Sequence, residues 1–253
     1  MDSYRTSLVS IITPTYNSAN YILETYRSIA NQSHECWEWL ITDDCSTDNT
    51  ISILEDLVMR DKRITVLKNP TNSGAAVSRN LSIANASGVF VAFIDSDDIW
   101  MPDKLERQID FMGAEIDFSF TAYEIIDNVG GSIGKIVDKQ RVRFFTYEDM
   151  LCKAATLGCS TVMLRRSQFA NLKMPLVRTG QDYALWLKIL KSGKNAYLLP
   201  EALTHYRITP NSISRNKLKK AKRQWEIYRK LEGLSFVKSF RCFLFYAVRA
   251  VIR

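Results

Sequence analysis

Asp95-Ser96-Asp97-Asp98 places three carboxylates within four positions. Such a cluster repels itself unless a cation or hydrogen-bond donors neutralise it, and hard oxygen ligands suit Mg2+ or Mn2+. As a purely structural feature it would be a solvated loop that caps the helix starting near Pro102. A second acidic pair, Asp43-Asp44, precedes Cys45-Ser46. A further carboxylate, Asp182, stands ahead of Leu185, Trp186, Ile189 and Leu190, which recur at helical spacing. That spacing puts Asp182 at a helix N-terminus, where an N-cap is worth about 1 kcal/mol.

These residues need elements to hold them. Residues 89–94 (Val-Phe-Val-Ala-Phe-Ile) read as a strand buried on both faces, and the acidic cluster follows at its carboxyl end. Ahead of it, residues 8–13, 37–42 and 64–67 read as strands, and residues 21–30, 48–60 and 75–86 as helices. The resulting β-α-β-α-β-α-β order predicts a mainly parallel sheet with helices on both faces. Right-handed crossovers then bring the strand carboxyl ends to one edge, where open α/β sheets bind ligands. Thr13 to Asn17, Asp43-Asp44 and Asp95 to Asp98 would share that edge.

The loop after the first strand, Pro14-Thr15-Tyr16-Asn17-Ser18, has no glycine, so it lacks the dinucleotide fingerprint, and no GxxxxGK[ST] occurs anywhere. A nucleoside diphosphate at this edge would therefore be neutralised through a divalent metal on the carboxylates. Asp43 or Asp44 would accept hydrogen bonds from its base or ribose.

The chain has 253 residues, 46% hydrophobic and 24% charged, an ordinary balance for one large domain with appendages. Its five cysteines are scattered, odd in number and never form CxxC, which argues against a thiolate zinc site and a disulfide framework and fits a reducing cytoplasm. The first residues lack the pattern of a signal peptide, and no stretch reaches the ~18 uncharged apolar residues of a membrane span. A net charge of +7 favours an anionic partner. No nucleic-acid-binding signature accompanies it, so nucleic acid is not expected.

Four motifs in order resemble family-2 glycosyltransferases of the GT-A fold. Residues 9–17 (VSIITPTYN) are similar to the family's opening strand and loop. Residues 42–50 (TDDCSTDNT) resemble D-D-G-S-x-D-x-T, with Cys45 where glycine is common. Asn72-Ser73-Gly74 leading to Ser78-Arg79-Asn80 resembles N-x-G-x-x-x-A-R-N, with Ser78 for alanine. Asp95-Ser96-Asp97 matches the D-x-D strand end. Downstream, Gln181-Asp182 followed by Trp186 and Lys188 looks like E-D-x-x-x-W-x-R/K, with Gln181 replacing glutamate. Residues 206–214 (YRITPNSIS) resemble the Y-R-x-x-x-x-S-x-S segment of bacterial surface-polysaccharide members.

The resemblance implies a GT-A domain over residues 1–210, with a nucleotide-sugar half to about residue 100 and an acceptor half after it. It implies a UDP-sugar donor contacted by Thr13, Pro14, Tyr16, Asp43, Asp44, Asn72, Gly74, Arg79, Asp95 and Ser96. Asp97, with Asp95, would coordinate Mn2+ or Mg2+ at the diphosphate. Asp182 would be the catalytic base of an inverting transfer; the only histidines are His34 and His205, so a carboxylate is the better candidate. Arg207, a rigid fork of donors, could reach the diphosphate or the acceptor, or instead pair with an acidic surface residue. The implied acceptor is a polyprenyl-diphosphate-linked oligosaccharide of O-antigen or capsule synthesis, at the cytoplasmic face of the membrane. A non-catalytic nucleotide-sugar- or glycan-binding protein, or a sugar nucleotidyltransferase, are the alternatives; the latter lacks its glycine- and arginine-rich loop here.

From residue 215 onward there are twelve Lys/Arg against Glu226 and Glu232. On a wheel of ~100° per residue, Lys238, Arg241, Arg249 and Arg253 share one arc, opposite Phe236, Phe240, Phe243, Leu244, Ala247 and Val251. Residues 211–253 thus read as a basic amphipathic helical extension. It would lie on an anionic inner-membrane surface, or pack its apolar side on the domain or on a second copy in a homodimer.

Overall fold

The computed structural model of the chain describes residues 6–140, 143–209 and 217–252. The first half runs β1 (Val9–Thr15), α1 (Ile22–Ala30), β2 (Trp37–Asp43), α2 (Thr50–Arg60), β3 (Ile64–Lys68), α3 (Ala75–Ala84) and β4 (Phe90–Phe93). These four strands are all parallel, in the order β3-β2-β1-β4.

Apolar side chains on both sides of each strand explain the layering. Along β4 and the residue after it, Phe90, Ala92 and Ile94 enter one core and Val91 and Phe93 the other. The first core takes Ile22 and Ile29 of α1 and Leu54 and Leu57 of α2. The second takes Ala76 of α3. Val89, expected inside the strand, lies just before it and is exposed.

The second half supplies β5 (Ile99–Trp100), α4 (Lys104–Met112), β6 (Phe118–Ile126), β7 (Ser132–Val137), β8 (Phe144–Phe145), α5 (Tyr147–Leu151), β9 (Val162–Arg165), α6 (Gln181–Lys191) and β10 (Ala196–Arg207). The sheet continues β4-β9-β6-β10-β5, with β7 beside β6 and β8 beside β10. Because β9 runs antiparallel to both β4 and β6, the sheet is mixed. This is the α/β GT-A architecture expected, a mixed sheet between helices.

The chain ends in α7 (Lys217–Glu226), a π-helical turn over Ile227–Leu231 and α8 (Phe236–Ile252). Ile227, Tyr228, Leu234 and Cys242 from this region are buried in the same core as α6. The C-terminal helices therefore pack onto the domain and share its interior. The expected boundary at residues 210 and 211 lies outside the described residues, as do Arg253 and the side chain of Val251. Among the described residues no helix is long and apolar enough to cross a membrane.

Candidate active site

The parallel registers bring the ends of β1, β2 and β4 to one edge, with Thr15 opposite Asp43 and Ile12 opposite Phe93. The loops beyond are tied across that edge. Ser18 Oγ and Ser96 Oγ are 2.7 Å apart, and Asn17 Oδ1 accepts from the Thr47 amide at 2.8 Å. Tyr16 stays half exposed at the rim, and Pro14 is partly buried beside it.

The two aspartates after β2 hold this edge together. Asp43 accepts from Ser46 Oγ at 2.5 Å and from the Ser46 amide at 2.9 Å. Asp44 accepts from the Ser73 amide, the Gly74 amide and Asn69 Nδ2, each at 2.7 Å. Asn69 Nδ2 also reaches Ser78 Oγ at 2.9 Å, so the serine that replaces the usual alanine joins this network. Asn72 donates to the Asp44 carbonyl at 3.0 Å. Cys45 has φ +65°, the left-handed conformation that explains why glycine is common there. Gly74 has φ +87° and ψ 162°, a region open only to glycine, and a Cβ there would meet nothing within 4 Å. The requirement at residue 74 is thus conformational, to aim its amide at Asp44.

Arg79, on α3, is buried and pairs through Nη2 with Asp95, whose side chain is 32% exposed. Burial alone would push the guanidinium's pKa down; Asp95, Cys159 and Asp182 outweigh it and hold it above its ordinary value. Arg79 Nε and Nη1 are buried and have no hydrogen-bond partner. Unpaired buried donors of this kind are costly, and a bound anion would satisfy them. Thr15 Oγ1 is likewise buried without a partner.

The acidic cluster divides its labour. Asp98, fully buried, accepts from Ser160 Oγ at 2.5 Å and from the Arg207 amide at 2.9 Å. Burial, then Asp97 and Asp95, push its pKa well up. Asp97 is partly buried; burial and then Asp95 raise it to about 6 against the opposing pull of Arg207 and Arg79. Among the described residues no group outside its own backbone donates to the Asp97 carboxylate, so of the three it is the one left free for an external cation. This donor set fits a divalent ion shared with ligand oxygens, which Asp97, with Asp95 beside it, would hold. Among the described residues no three His, Cys, Asp or Glu groups converge as a complete protein-only metal cage.

Asp182 reaches this edge because α6 is anchored to β4. Trp186 packs edge-on against Phe93 at 5.5 Å and against Phe118 at 5.4 Å, and Phe93 stands two residues before Asp95. One turn earlier, Asp182 lies close enough to act electrostatically on Arg79 and Cys159. Gly180, with φ +71°, occupies the N-cap, and Asp182 is the second residue of the helix rather than its cap. Among the described residues no protein donor engages the Asp182 carboxylate. A negative charge in the first turn is favoured by the helix dipole. Gln181 is buried, with Oε1 unpartnered.

Three sequence-predicted site residues point inward. Thr13 Oγ1 accepts from Trp39 Nε1 at 2.8 Å inside the sheet. Asp44 is enclosed by the donors named above. Arg207 is 1% exposed: Nε donates to the Asp97 carbonyl at 2.8 Å, Nη2 pairs with Glu24 at 2.6 Å, and Nη1 meets the Asn128 carbonyl at 3.2 Å. It braces the acidic loop from beneath rather than offering its fork to a ligand.

Sequence reasoning missed Ser160. Its Oγ accepts from the Asp95 amide at 3.0 Å while donating to Asp98, and its carbonyl accepts from Trp100 Nε1 at 2.7 Å. It sits on a 3-10 turn, Cys159–Thr161, just ahead of β9. Asn80, unexplained from sequence, exchanges two hydrogen bonds with the Met174 backbone and so ties α3 to the segment before α6.

Comparison with known proteins agrees with this fold. The family model described as Glycosyl transferase family 2 matches residues 10–172. The putative teichuronic acid biosynthesis glycosyltransferase TuaG of Bacillus subtilis is 47% identical over 245 residues, 96% of each chain. The Escherichia coli UDP-Glc:alpha-D-GlcNAc-diphosphoundecaprenol beta-1,3-glucosyltransferase WfgD is 42% identical over 90% of this chain and 86% of its own. Among solved structures, the mannosyltransferase PcManGT of Pyrobaculum calidifontis, in complex with GDP-Man and Mn2+, shares the fold at TM-score 0.72 and 18% identity, covering 95% of this chain and 69% of its own.

Proposed function

The chain belongs to glycosyl transferase family 2, and from that premise we propose that it transfers a sugar, with inversion, from a UDP-sugar to a polyprenyl-diphosphate-linked glycan during bacterial surface-polysaccharide synthesis. The observation that carries the reading is Arg79. It is buried beside Asp95, within electrostatic reach of Asp97 and Asp182, with Nε and Nη1 unsatisfied. A pyrophosphate-bearing donor is the kind of ligand that would complete both donors.

In this reading Tyr16 offers its exposed ring to the nucleobase, and Asp43 accepts from the base or ribose. Asp44, Asn72 and Gly74 shape the loop that holds them. Asp95 positions the donor sugar while fixed by Arg79 and by Ser160. Asp97, with Asp95, would hold Mn2+ or Mg2+, which when bound supplies the positive charge that stabilises a diphosphate leaving group. Asp182 takes the proton from the acceptor hydroxyl as it attacks the anomeric carbon. Relatives named for diphosphoundecaprenol acceptors support the lipid-linked substrate, and such a substrate would be met at the cytoplasmic face of the membrane.

The test is nucleotide release from a panel of UDP-, GDP- and TDP-sugars, with Mn2+ or with chelator. Release from one donor, abolished by chelator, is expected. Asp182→Asn should lower turnover by ~10²- to 10⁴-fold while nucleotide binding survives. Unchanged turnover in that variant would remove Asp182 from the mechanism. Failure of the chain to bind any of the nucleotides would favour a non-catalytic role.

A further inference from the structure

The C-terminal helix is docked the opposite way round from what water would select. On α8, Lys238 Nζ pairs with Glu148 at 2.6 Å and Arg249 Nη1 donates to the Cys152 carbonyl at 2.5 Å, so two of its basic residues face the domain. Ser239 and Cys242 are buried between them. Phe236, Phe240, Leu244 and Val248, each four residues apart, point outward at 64%, 57%, 56% and 48% exposure, with Val237 among them at 77%. At ~100° per residue these five fall within an arc of about 120°. Of the apolar face expected from the sequence, Phe236, Phe240 and Leu244 are left uncovered and are joined by Val237 and Val248 in one ridge, while Phe243 packs on Trp225.

We infer that this ridge inserts into the headgroup–acyl boundary of an anionic lipid bilayer. Contiguous exposed apolar surface of this kind marks an interaction site. Charge selects the occupant. Arg241 is exposed on the same helix, and α7, packed on α8 through Trp225 against Phe236 and Phe243, carries exposed Lys222. Lys230 of the adjoining π turn is exposed as well. Of these, Arg241 falls about 20° beyond Val248 on the same wheel and so flanks the ridge; a second copy laid ridge to ridge would set that cation against its own kind, whereas an anionic bilayer complements it. Insertion, rather than attraction of the basic residues alone, supplies the larger share of binding, because Lys238 and Arg249 are committed to the domain.

The same unit also touches the candidate site. Arg223 Nε of α7 donates to Thr179 Oγ1 at 3.0 Å, and Ile227 Cδ1 would lie 3.3 Å from a Cβ at Gly180. A bilayer held by α8 is therefore held at a set distance from Asp182, two residues beyond Gly180. This purpose rests on the lipid-linked acceptor proposed above, but binding to lipid does not.

Flotation of the full chain with vesicles of phosphatidylcholine and phosphatidylglycerol, 3:1, tests the inference. The chain should float with the vesicles, and raising salt from 0.1 to 0.5 M should weaken binding by less than about 3-fold, since apolar insertion is not screened. The double variant Phe240→Glu, Leu244→Glu should lose at least about 10-fold in binding while keeping its melting temperature, because both side chains are exposed. Its nucleotide release without acceptor should be unchanged. Absence of wild-type flotation, equal binding by the variant, or loss of binding at 0.5 M salt would each overturn the inference. So would light scattering that shows a dimer which the double variant dissociates. None of those outcomes touches the donor chemistry, which nucleotide release reads separately.

Discussion

Lys104 is completely buried at the start of α4, donates to Gln108 Oε1 at 2.8 Å and lies 4.1 Å from the centre of the Trp100 ring. Burial pushes its pKa down to about 7. In the unfolded chain the value is the ordinary ~10.4. Between those two values the unfolded chain binds a proton that the folded chain does not, so stability must rise with pH, by up to ~1.4 kcal/mol per unit. The window opens near pH 7, where the folded lysine is about half protonated, and closes near pH 10.4; below it the cost is constant. Integrated, the lysine costs about 4 kcal/mol at pH 7 and about 2 kcal/mol at pH 9. Lys104→Met removes that cost but leaves Gln108 Oε1 without its donor, a loss of about 1 kcal/mol. Urea unfolding of both proteins at pH 7, 8 and 9 isolates the group, since every other titration is common to the pair. The methionine variant should be more stable by about 3 kcal/mol at pH 7, and by only about 1 kcal/mol at pH 9. A difference that stays flat across this range would refute the reasoning, as would a methionine variant less stable at pH 7. Nucleotide release should be unaffected, because the lysine reaches the site indirectly, through Trp100 to the Ser160 carbonyl and through Gln108 to the Thr161 carbonyl.

Two further predictions concern the site. Arg79→Met should cost about 1–3 kcal/mol in urea unfolding, because the loss of two unpaired buried donors is outweighed by leaving the Asp95 carboxylate without its partner, and should weaken donor binding by ~10²-fold through lost charge-assisted bonds; calorimetric titration with UDP would show it, and unchanged affinity would reject the role given to the orphaned nitrogens. Ser160→Ala should cost about 2 kcal/mol in urea unfolding, since it strips a donor from buried Asp98 and an acceptor from the Asp95 amide. A cost below about 0.5 kcal/mol would show that Ser160 does not hold the two aspartates.

The site was legible where function imposes a local signal. Carboxylates at strand ends announce themselves by residue type and spacing, whereas Asn72, Gly74 and the Asp182 segment are legible through their resemblance to family motifs. Gly74 and Cys45 even reveal their backbone conformation through the residue usual at their positions. What stayed hidden were groups whose role lies in a distant partner. For Arg207 the sequence left open a phosphate ligand or a partner of an acidic surface residue; β10 carries it beneath the acidic loop, where Glu24 and two carbonyls take its donors, the second alternative. Ser160 is one hydroxyl among many until the 3-10 turn before β9 sets it between Asp95 and Asp98.

By itself, then, the sequence determined the alternating first half, its parallel sheet and the edge at which Asp43, Asp95 and Asp97 gather. Period-2 and period-3.6 patterns specify elements, and right-handed crossovers specify which ends meet. Tertiary structure decided the rest: which aspartate keeps a free carboxylate, which arginine keeps free donors, and which face of α8 looks outward. Those depend on burial and on long-range pairing, and no local pattern encodes a partner a hundred residues away.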